Sequence, residues 1–168
     1  MYLPPPSDQA VWIEPLTPQE LRLVRNANNI RTASDGSVRP DINSSTFGIV
    51  ITDGEGKVLA RRAIHFKSRP DDQSSYCSEM EALTGAYILL PEDIHSDHTT
   101  DSESVMDLHT VLVHIKTLPL TMKWILKPYF SVIWRLQKAI HSHTQPFQTT
   151  HTLSHLEDEP TSDPDLRI

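Results

Sequence analysis

Three carboxylates occur where a predicted strand ends or a predicted helix begins. Asp35 leaves a short β-prone run in TASDGSV, Glu79 lies near the start of a helix in SSYCSEMEAL, and Asp101 leaves a strand in HTTDSESVM. Hard divalent cations such as Mg²⁺ prefer oxygen ligands, and carboxylates from separate elements can converge on them. Two ions about 4 Å apart would stabilise both the attacking and the leaving oxygen of a phosphodiester displacement.

Each of these residues also has an ordinary structural explanation. Asp-Gly is a common turn, so Asp35 taken alone would be structural, and Asp101 alone could cap a helix. Glu81 competes with Glu79, because residues two apart on a helix are separated by about 200° and only one can face a site. Asp97 is likewise an alternative to Asp101, four residues before it. The Glu-Met-Glu-Ala-Leu register favours Glu79, and the Thr-Asp-Ser context favours Asp101.

Together and in this order, the motifs resemble the ribonuclease H family. That family has an Asp-Gly-Ser strand, a β-hairpin, a helix carrying Glu before Ala-Leu, a Thr-Asp-Ser strand end, and a later strand that ends in a loop histidine. The counterparts here are Asp35-Gly36-Ser37, Ser78 to Leu83, Thr100-Asp101-Ser102 and His155. The resemblance, of type 1 in its motifs, covers about residues 32–158.

The resemblance implies a fold and an activity. The fold is α/β, a mixed sheet of three antiparallel and then two parallel strands flanked by helices. The activity is endonucleolytic hydrolysis of the RNA strand of RNA–DNA hybrids. Asp35, Glu79 and Asp101 would hold two Mg²⁺ ions, for which Mn²⁺ could substitute, and His155 would assist proton transfer or product release. The arrangement is most similar to the ribonuclease H domain of a non-LTR retroelement reverse transcriptase, so a reverse transcriptase module in the same polyprotein is a candidate partner.

The sequence departs from the family pattern at its end. The family's last helix carries a fourth carboxylate, and this chain stops at Ile168 before any such helix. Asp165 follows His155 at a tolerable distance, but it lies in a loop broken by Pro164, so its role as the fourth ligand stays open. The expectation is a domain without its final helix. The alternatives are an inactive remnant that at most binds nucleic acid, and another enzyme of this fold, such as an integrase or resolvase.

Histidine and cysteine offer two other kinds of site. His151 and His155 share one face of an alternating strand, as zinc ligands can, but no third ligand has a recognised spacing. Cys77 stands beside Glu79, yet no Cys-His signature surrounds it, so a buried, inert thiol is expected. A single cysteine also excludes a disulfide framework, which fits a reducing intracellular compartment.

The elements that must position these residues follow from caps, turns and hydrophobic spacing. Thr17-Pro18-Gln19-Glu20 predicts a capped helix, and Asp53-Gly54-Glu55-Gly56 predicts the turn of a hairpin. The predicted elements, in chain order, are a helix at 18–26, strands at 31–38, 46–52 and 58–66, a helix at 75–90, a strand at 94–100, helices after Ser102 and from Pro128, and a strand at 147–156. An antiparallel start followed by βα units predicts a mixed sheet.

Charge is distributed unevenly along the 168 residues, whose net charge is −7. The block from Leu108 to Leu156 contains five Lys or Arg and no acid, whereas both flanks are acidic. This basic block could present a positive face to phosphate, and Lys123, Lys127 and Lys138 are predicted to bind nucleic acid. The block's two tryptophans, Trp124 and Trp134, could lie beside a sugar–phosphate backbone or equally belong to helix cores.

The prolines define the predicted domain boundaries. Pro4-Pro5-Pro6 and Pro15 predict an extended lead-in over the first 16 residues rather than packed structure. The predicted organisation is a proline-rich leader with a short capped helix at 1–30, a ribonuclease H-like domain at 31–158, and an acidic tail at 159–168 expected to be disordered. The sequence has neither an 18-residue apolar run nor a secretory signal, so no membrane-spanning helix is expected and an intracellular location fits.

Overall fold

The computed structural model describes residues 12–39, 44–67, 75–118 and 129–152. Its elements, in chain order, are α1 (Pro18–Asn26), β1 (Arg31–Arg39), β2 (Ser44–Thr52), β3 (Val58–Lys67), α2 (Ser75–Leu89), β4 (Asp97–Thr100), α3 (Glu103–His114), α4 (Phe130–Ser142) and β5 (Gln148–His151). Each predicted element is present, with its ends moved by a few residues. None of these helices combines the length and the apolar composition that crossing a bilayer requires.

The five strands form one sheet in the order β3-β2-β1-β4-β5. β1, β2 and β3 pair antiparallel, and β4 then pairs in parallel with both β1 and β5. The predicted mixed sheet is therefore confirmed. The hairpin between β2 and β3 turns at Asp53, whose Oδ1 accepts hydrogen bonds from the backbone N–H groups of Glu55 and Lys57, and Gly56 adopts a positive φ of 88° that favours glycine.

The helix α2 packs on one face of the sheet, over β1 and β2, and α4 packs on the other side of α2. Side chains alternate along a strand, so Phe47, Ile49 and Ile51 of β2 all point toward α2 and are buried. On the opposite face of the sheet, Ala33 and Ala63 are exposed. Because α2 lies between the sheet and α4, it is buried on most sides, and it carries Tyr87, the largest fully buried side chain of the described residues.

The helix α1 begins at the predicted capping box. Thr17 Oγ1 accepts from the Glu20 backbone N–H, and Glu20 Oε1 accepts from the Thr17 backbone N–H. Arg62 of β3 donates to both carboxylate oxygens of Glu20, at 2.7 and 3.0 Å. This ion pair, the largest of several causes, lowers the pKa of Glu20 to about 2 and ties α1 to the edge of the sheet.

The segment before α1 also packs against the domain. The Arg62 guanidinium donates to the backbone carbonyls of Glu14 and Pro15, each at 2.9 Å. Ile13 joins the hydrophobic core, where a side chain at Gly85 of α2 would collide with it. For residues 12–16 the expectation of an unpacked lead-in is wrong, because one guanidinium supplies the donors that an irregular, proline-containing segment cannot find in a strand ladder.

Tyr87 connects α2 to three other elements. Its hydroxyl oxygen lies 2.5 Å from Nε2 of His109 in α3 and accepts the backbone N–H of Phe147 at 2.8 Å. The backbone carbonyl of Tyr87 accepts from Nε2 of His143 at the end of α4. The rings of Tyr87 and Phe147 stack with centroids 3.8 Å apart. These contacts fix the approach of β5 to the helices.

A second buried histidine lies within the sheet. His98 of β4 is fully buried between two hydroxyl groups of β1, with Thr32 Oγ1 at 2.7 Å from Nδ1 and Ser34 Oγ at 3.0 Å from Nε2. Burial lowers the pKa of His98 to about 3 and that of His109 to about 4. Both imidazoles are therefore neutral in the folded protein at neutral pH.

Acid should destabilise this fold through these two histidines. Their folded pKa values lie below the unfolded value of about 6.5, so the stability present above pH 6.5 is lost as the pH falls toward 4. Each contributes a slope of about 1.4 kcal/mol per pH unit in that window. The free energy of unfolding, measured with urea at pH 7, 6 and 5, should fall less steeply with decreasing pH for His109→Gln than for the wild type. Equal slopes would contradict the prediction.

Candidate metal centre

The three predicted carboxylates meet where β4 ends, beside the middle of β1, so the expectation that Asp35 lies at the end of its strand is wrong. Asp35 lies on β1, Glu79 lies in the second turn of α2, and Asp101 directly follows β4. One ligand oxygen from each lies within 4.8 Å of those of the other two. Among the described residues, no other trio of His, Cys, Asp or Glu side chains is placed to share an ion. The predicted convergence is confirmed, and with it the choice of these three positions as a cluster.

Strand register places Asp35 beside Asp101. The parallel pairing of β1 with β4 ends at Ala33 opposite Thr99. Because parallel strands advance in step, the residues two positions further on, Asp35 and Asp101, stand at the same level. β1 continues past this point against β2, where Asp35 pairs with Gly48, so the backbone of Asp35 is held inside the sheet.

Glu79 enters the cluster because α2 comes very close to β1. The backbone N–H of Gly36 donates to Glu79 Oε1 at 2.9 Å. A Cβ on Gly36 would lie 2.6 Å from Oγ of Ser78, which itself donates to the backbone carbonyl of Thr46 at 2.7 Å. Glycine is therefore required at position 36 for this approach.

The cluster is electrostatically strained. Glu79 is only 5% exposed, and burial raises its pKa to about 8. Repulsion from Asp101 and Asp35 and a side-chain hydrogen bond with Asp101 add to the effect, and the Gly36 N–H opposes it. The second oxygen of Glu79, Oε2, is buried and accepts no hydrogen bond from the described residues. Ionising this buried carboxyl beside two other acids is unfavourable, and a cation would remove that penalty. The all-carboxylate donor set fits a hard divalent ion such as Mg²⁺.

A cleft of about 450 Å³ adjoins the cluster at Asp35. It crosses three neighbouring strands and is lined by residues 35–37 of β1, 46–48 of β2 and 63–65 of β3. Hydroxyl groups line part of it, since Ser37 Oγ and Thr46 Oγ1 share a hydrogen bond of 2.7 Å. The acidic cluster therefore lies at the edge of a depression rather than on a flat surface.

Comparison with known proteins identifies the fold. No family model and no curated protein matches the sequence. The crystal structure of RNase H1 from the halophilic archaeon Halobacterium salinarum NRC-1 matches with a TM-score of 0.56 and 15% identity, over 76% of this chain and 87% of that chain. LC11-RNase H1 in complex with an RNA/DNA hybrid matches with a TM-score of 0.52 and 18% identity, over 75% of this chain and 86% of that chain. The chain has a ribonuclease H-like fold. A second structure of LC11-RNase H1, isolated from compost by a metagenomic approach, matches with a TM-score of 0.51 and 20% identity, over 76% of this chain and 86% of that chain.

Within this ribonuclease H-like fold the two competing acids point elsewhere. Glu81 is buried and pairs with Arg135 of α4 at 2.5 Å. Asp97 begins β4 at the end opposite Asp101, half exposed, with His95 Nε2 at 3.8 Å. Glu79 rather than Glu81, and Asp101 rather than Asp97, therefore lies beside Asp35.

The basic block is less uniformly exposed than its sequence suggests. Arg135 points inward to Glu81, with only 13% of its side chain exposed, so it does not contribute to a positive surface. Trp134 is partly buried against the core beside Phe130, which favours the core role over the surface one. Lys138 is exposed on α4.

Four predicted positions lie outside the described residues: Lys123, Lys127, His155 and Asp165. Cys77 is buried, as expected for an inert thiol.

The structure adds one residue that the sequence did not single out for this site. His151 reaches the backbone carbonyl of Asp101, whereas sequence reasoning considered it only as a zinc ligand.

Neutralising the two glutamates of α2 should change stability in opposite directions. Glu79 has a folded pKa of about 8, above its ordinary value, so stability is lost as the pH rises from about 4.5 through 8. Glu79→Gln removes this penalty and should raise the melting temperature at pH 9 without divalent ions, with a gain that shrinks toward pH 5. Glu81→Gln leaves Arg135 buried without its anion and should cost about 3–5 kcal/mol.

The measurement is thermal melting of the wild type and both variants in a chelating buffer at pH 5, 7 and 9. Glu81→Gln is the matched control, since it makes the same chemical change two residues away on the same helix. Destabilisation by both variants at pH 9 would show that Glu79 is not strained as described.

Proposed function

We propose that this chain is a ribonuclease H-type endonuclease that hydrolyses the RNA strand of RNA–DNA hybrids with two divalent metal ions. The observation that carries the proposal is the meeting of Asp35, Glu79 and Asp101 within 4.8 Å, at the edge of a cleft in a ribonuclease H-like fold. The solved complex of LC11-RNase H1 with an RNA/DNA hybrid supports the choice of substrate.

The three carboxylates would hold the ions. Bound divalent ions supply Lewis acidity and lower the pKa of water at a scissile phosphodiester. Glu79 retains its proton near neutral pH while no ion is bound, because burial raises its pKa to about 8, and it must release that proton to act as a ligand. The Gly36 N–H keeps Oε1 of Glu79 in place during this change. His155 is proposed, from the family resemblance, to assist proton transfer or product release.

The cellular context is proposed from the same resemblance. The chain would belong to a retroelement-derived protein of the non-LTR kind, with a reverse transcriptase module as its partner in the parent polyprotein and an intracellular location. Mg²⁺ is the proposed ion, with Mn²⁺ as its substitute. The competing function is a catalytically inactive ribonuclease H-like domain that at most binds nucleic acid, and the assay below separates the two.

A labelled RNA–DNA hybrid should be cut within its RNA strand in Mg²⁺ and left intact in a chelator. Asp35→Asn and Asp101→Asn each remove one proposed ligand, which should lower the rate by more than the ~10–100-fold typical of a change outside the coordination sphere. Asp97→Asn is the matched control, because this acid lies at the opposite end of β4. It should cleave like the wild type.

Three results would count against the proposal. Binding of the hybrid without cleavage by the wild type would support the inactive domain. Cleavage of duplex DNA in preference to hybrid would indicate an integrase-like or resolvase-like enzyme. Hybrid cleavage that survives Asp35→Asn and Asp101→Asn would place the chemistry elsewhere in the chain.

Nucleic-acid binding is proposed to run through Lys123, Lys127 and Lys138. Each phosphate neutralised contributes about −0.9 to the slope of log K against log salt for duplex DNA. Replacing the three lysines with Gln should therefore flatten the slope for a hybrid by roughly 2 to 3, as measured by fluorescence anisotropy between 50 and 200 mM salt. An unchanged slope would place the substrate on another surface.

A further inference from the structure

The three carboxylate-bearing segments are not held equally. Asp35 lies within a strand that pairs with β2 beyond it, and Glu79 lies within a helix and accepts the Gly36 N–H. Asp101 lies instead in a one-residue joint, after the last residue of β4 and before Ser102, the N-cap of α3. Asp101 itself belongs to neither β4 nor α3.

Hydrogen bonds within β4 and from β5 hold this joint. Thr100 Oγ1 accepts the backbone N–H of Ser102 at 3.1 Å, and the Thr100 carbonyl accepts the backbone N–H of Thr152 at 3.0 Å. On the β5 side, His151 is the register partner of Thr100, and its Nε2 lies 3.1 Å from the backbone carbonyl of Asp101. The imidazole therefore reaches across from the neighbouring strand to the peptide that carries the third carboxylate.

We propose that His151 is a positioning residue that orients Asp101 within the acidic cluster by donating Nε2–H to its backbone carbonyl. A carbonyl oxygen can only accept, so the contact requires the proton on Nε2 of His151. The Thr100 carbonyl is already held by the Thr152 N–H, so with the Asp101 oxygen also fixed the peptide planes on both sides of Asp101 are fixed, and with them the direction in which its side chain leaves the backbone. His151 acts through Asp101 and need not touch an ion or a substrate.

The pairing of β5 with β4 places the His151 imidazole near Asp101. Thr149 and His151 lie on the same face of β5 as His98 does on β4, since His98 pairs with Thr149. His151, the last residue of the strand, is partly buried on this face, and its Nε2 reaches the joint from there. The part of the inference that concerns ion binding rests on the proposed function, whereas the hydrogen bond itself can be tested in the ion-free protein.

Two substitutions distinguish loss of the His151 hydrogen-bond donor from a change in side-chain size. The amide nitrogen of Gln is the same number of bonds from Cα as Nε2 of histidine, whereas the amide nitrogen of Asn corresponds to Nδ1. His151→Gln should therefore keep the hydrogen bond to Asp101, and His151→Asn should lose it. His95→Asn, at the opposite end of β4, is the control for removing an imidazole.

The first measurement uses the ion-free full chain and NMR. Long-range ¹H–¹⁵N correlation should show the Nε2–H tautomer for His151. The backbone resonances of Asp101 and Ser102 should move in His151→Asn and stay close to wild-type positions in His151→Gln and His95→Asn. The Nδ1–H tautomer, or equal shifts in the Gln and Asn variants, would overturn the inference.

The second measurement is Mn²⁺ affinity by water-proton relaxation. His151→Asn should bind Mn²⁺ about tenfold more weakly, the size of effect typical of residues that orient ligands, while His151→Gln and His95→Asn stay within about twofold of the wild type. Melting curves taken in parallel confirm that all variants are folded at the assay temperature. A wild type that binds no Mn²⁺ would refute the proposed function, and the NMR result would still decide the role of His151.

Discussion

The close approach of α2 to β1 at Gly36 is the contact on which the candidate site depends. Only a residue without a Cβ allows Ser78 to lie against the strand, and only at that distance can the Gly36 N–H reach Glu79 Oε1. The same approach buries Glu79 next to two other acids. One backbone contact therefore sets the position of the carboxylate, its orientation and its raised pKa.

A cluster of this kind lowers stability, so the surrounding structure must hold it. Three acids lie within 4.8 Å of one another, so the charged form of Glu79 is disfavoured, and its buried Oε2 accepts no hydrogen bond from the described residues. The other end of α2 supplies well-satisfied contacts, since Tyr87 engages His109, His143 and Phe147 with its hydroxyl, its carbonyl and its ring. The helix is thus anchored at one end and strained at the other, which is the arrangement expected of a functional site.

Local signals made most of the fold predictable from the sequence. The capping box at Thr17, the Asp53 turn and the helical spacing in α2 each depend on residues close together in the chain. The family resemblance then placed Asp35, Glu79 and Asp101 in one cluster. The contacts that escaped prediction join distant residues, such as Arg62 to Glu20 across 42 positions and Arg135 to Glu81 across 54. Because a single sequence shows only that these side chains are charged, it does not show which of them meet.

The pair formed by Glu81 and Arg135 explains why α2 does not rotate to relieve the cluster. Turning the helix could move Glu79 away from Asp35 and Asp101, but it would also pull Glu81 away from its buried partner on α4. Breaking a buried ion pair costs about 3–5 kcal/mol, because each charge is left without compensation in a poorly solvated place. Two glutamates on one helix, about 200° apart, therefore hold each other's positions, and the pair facing α4 keeps the strained carboxylate directed at the site.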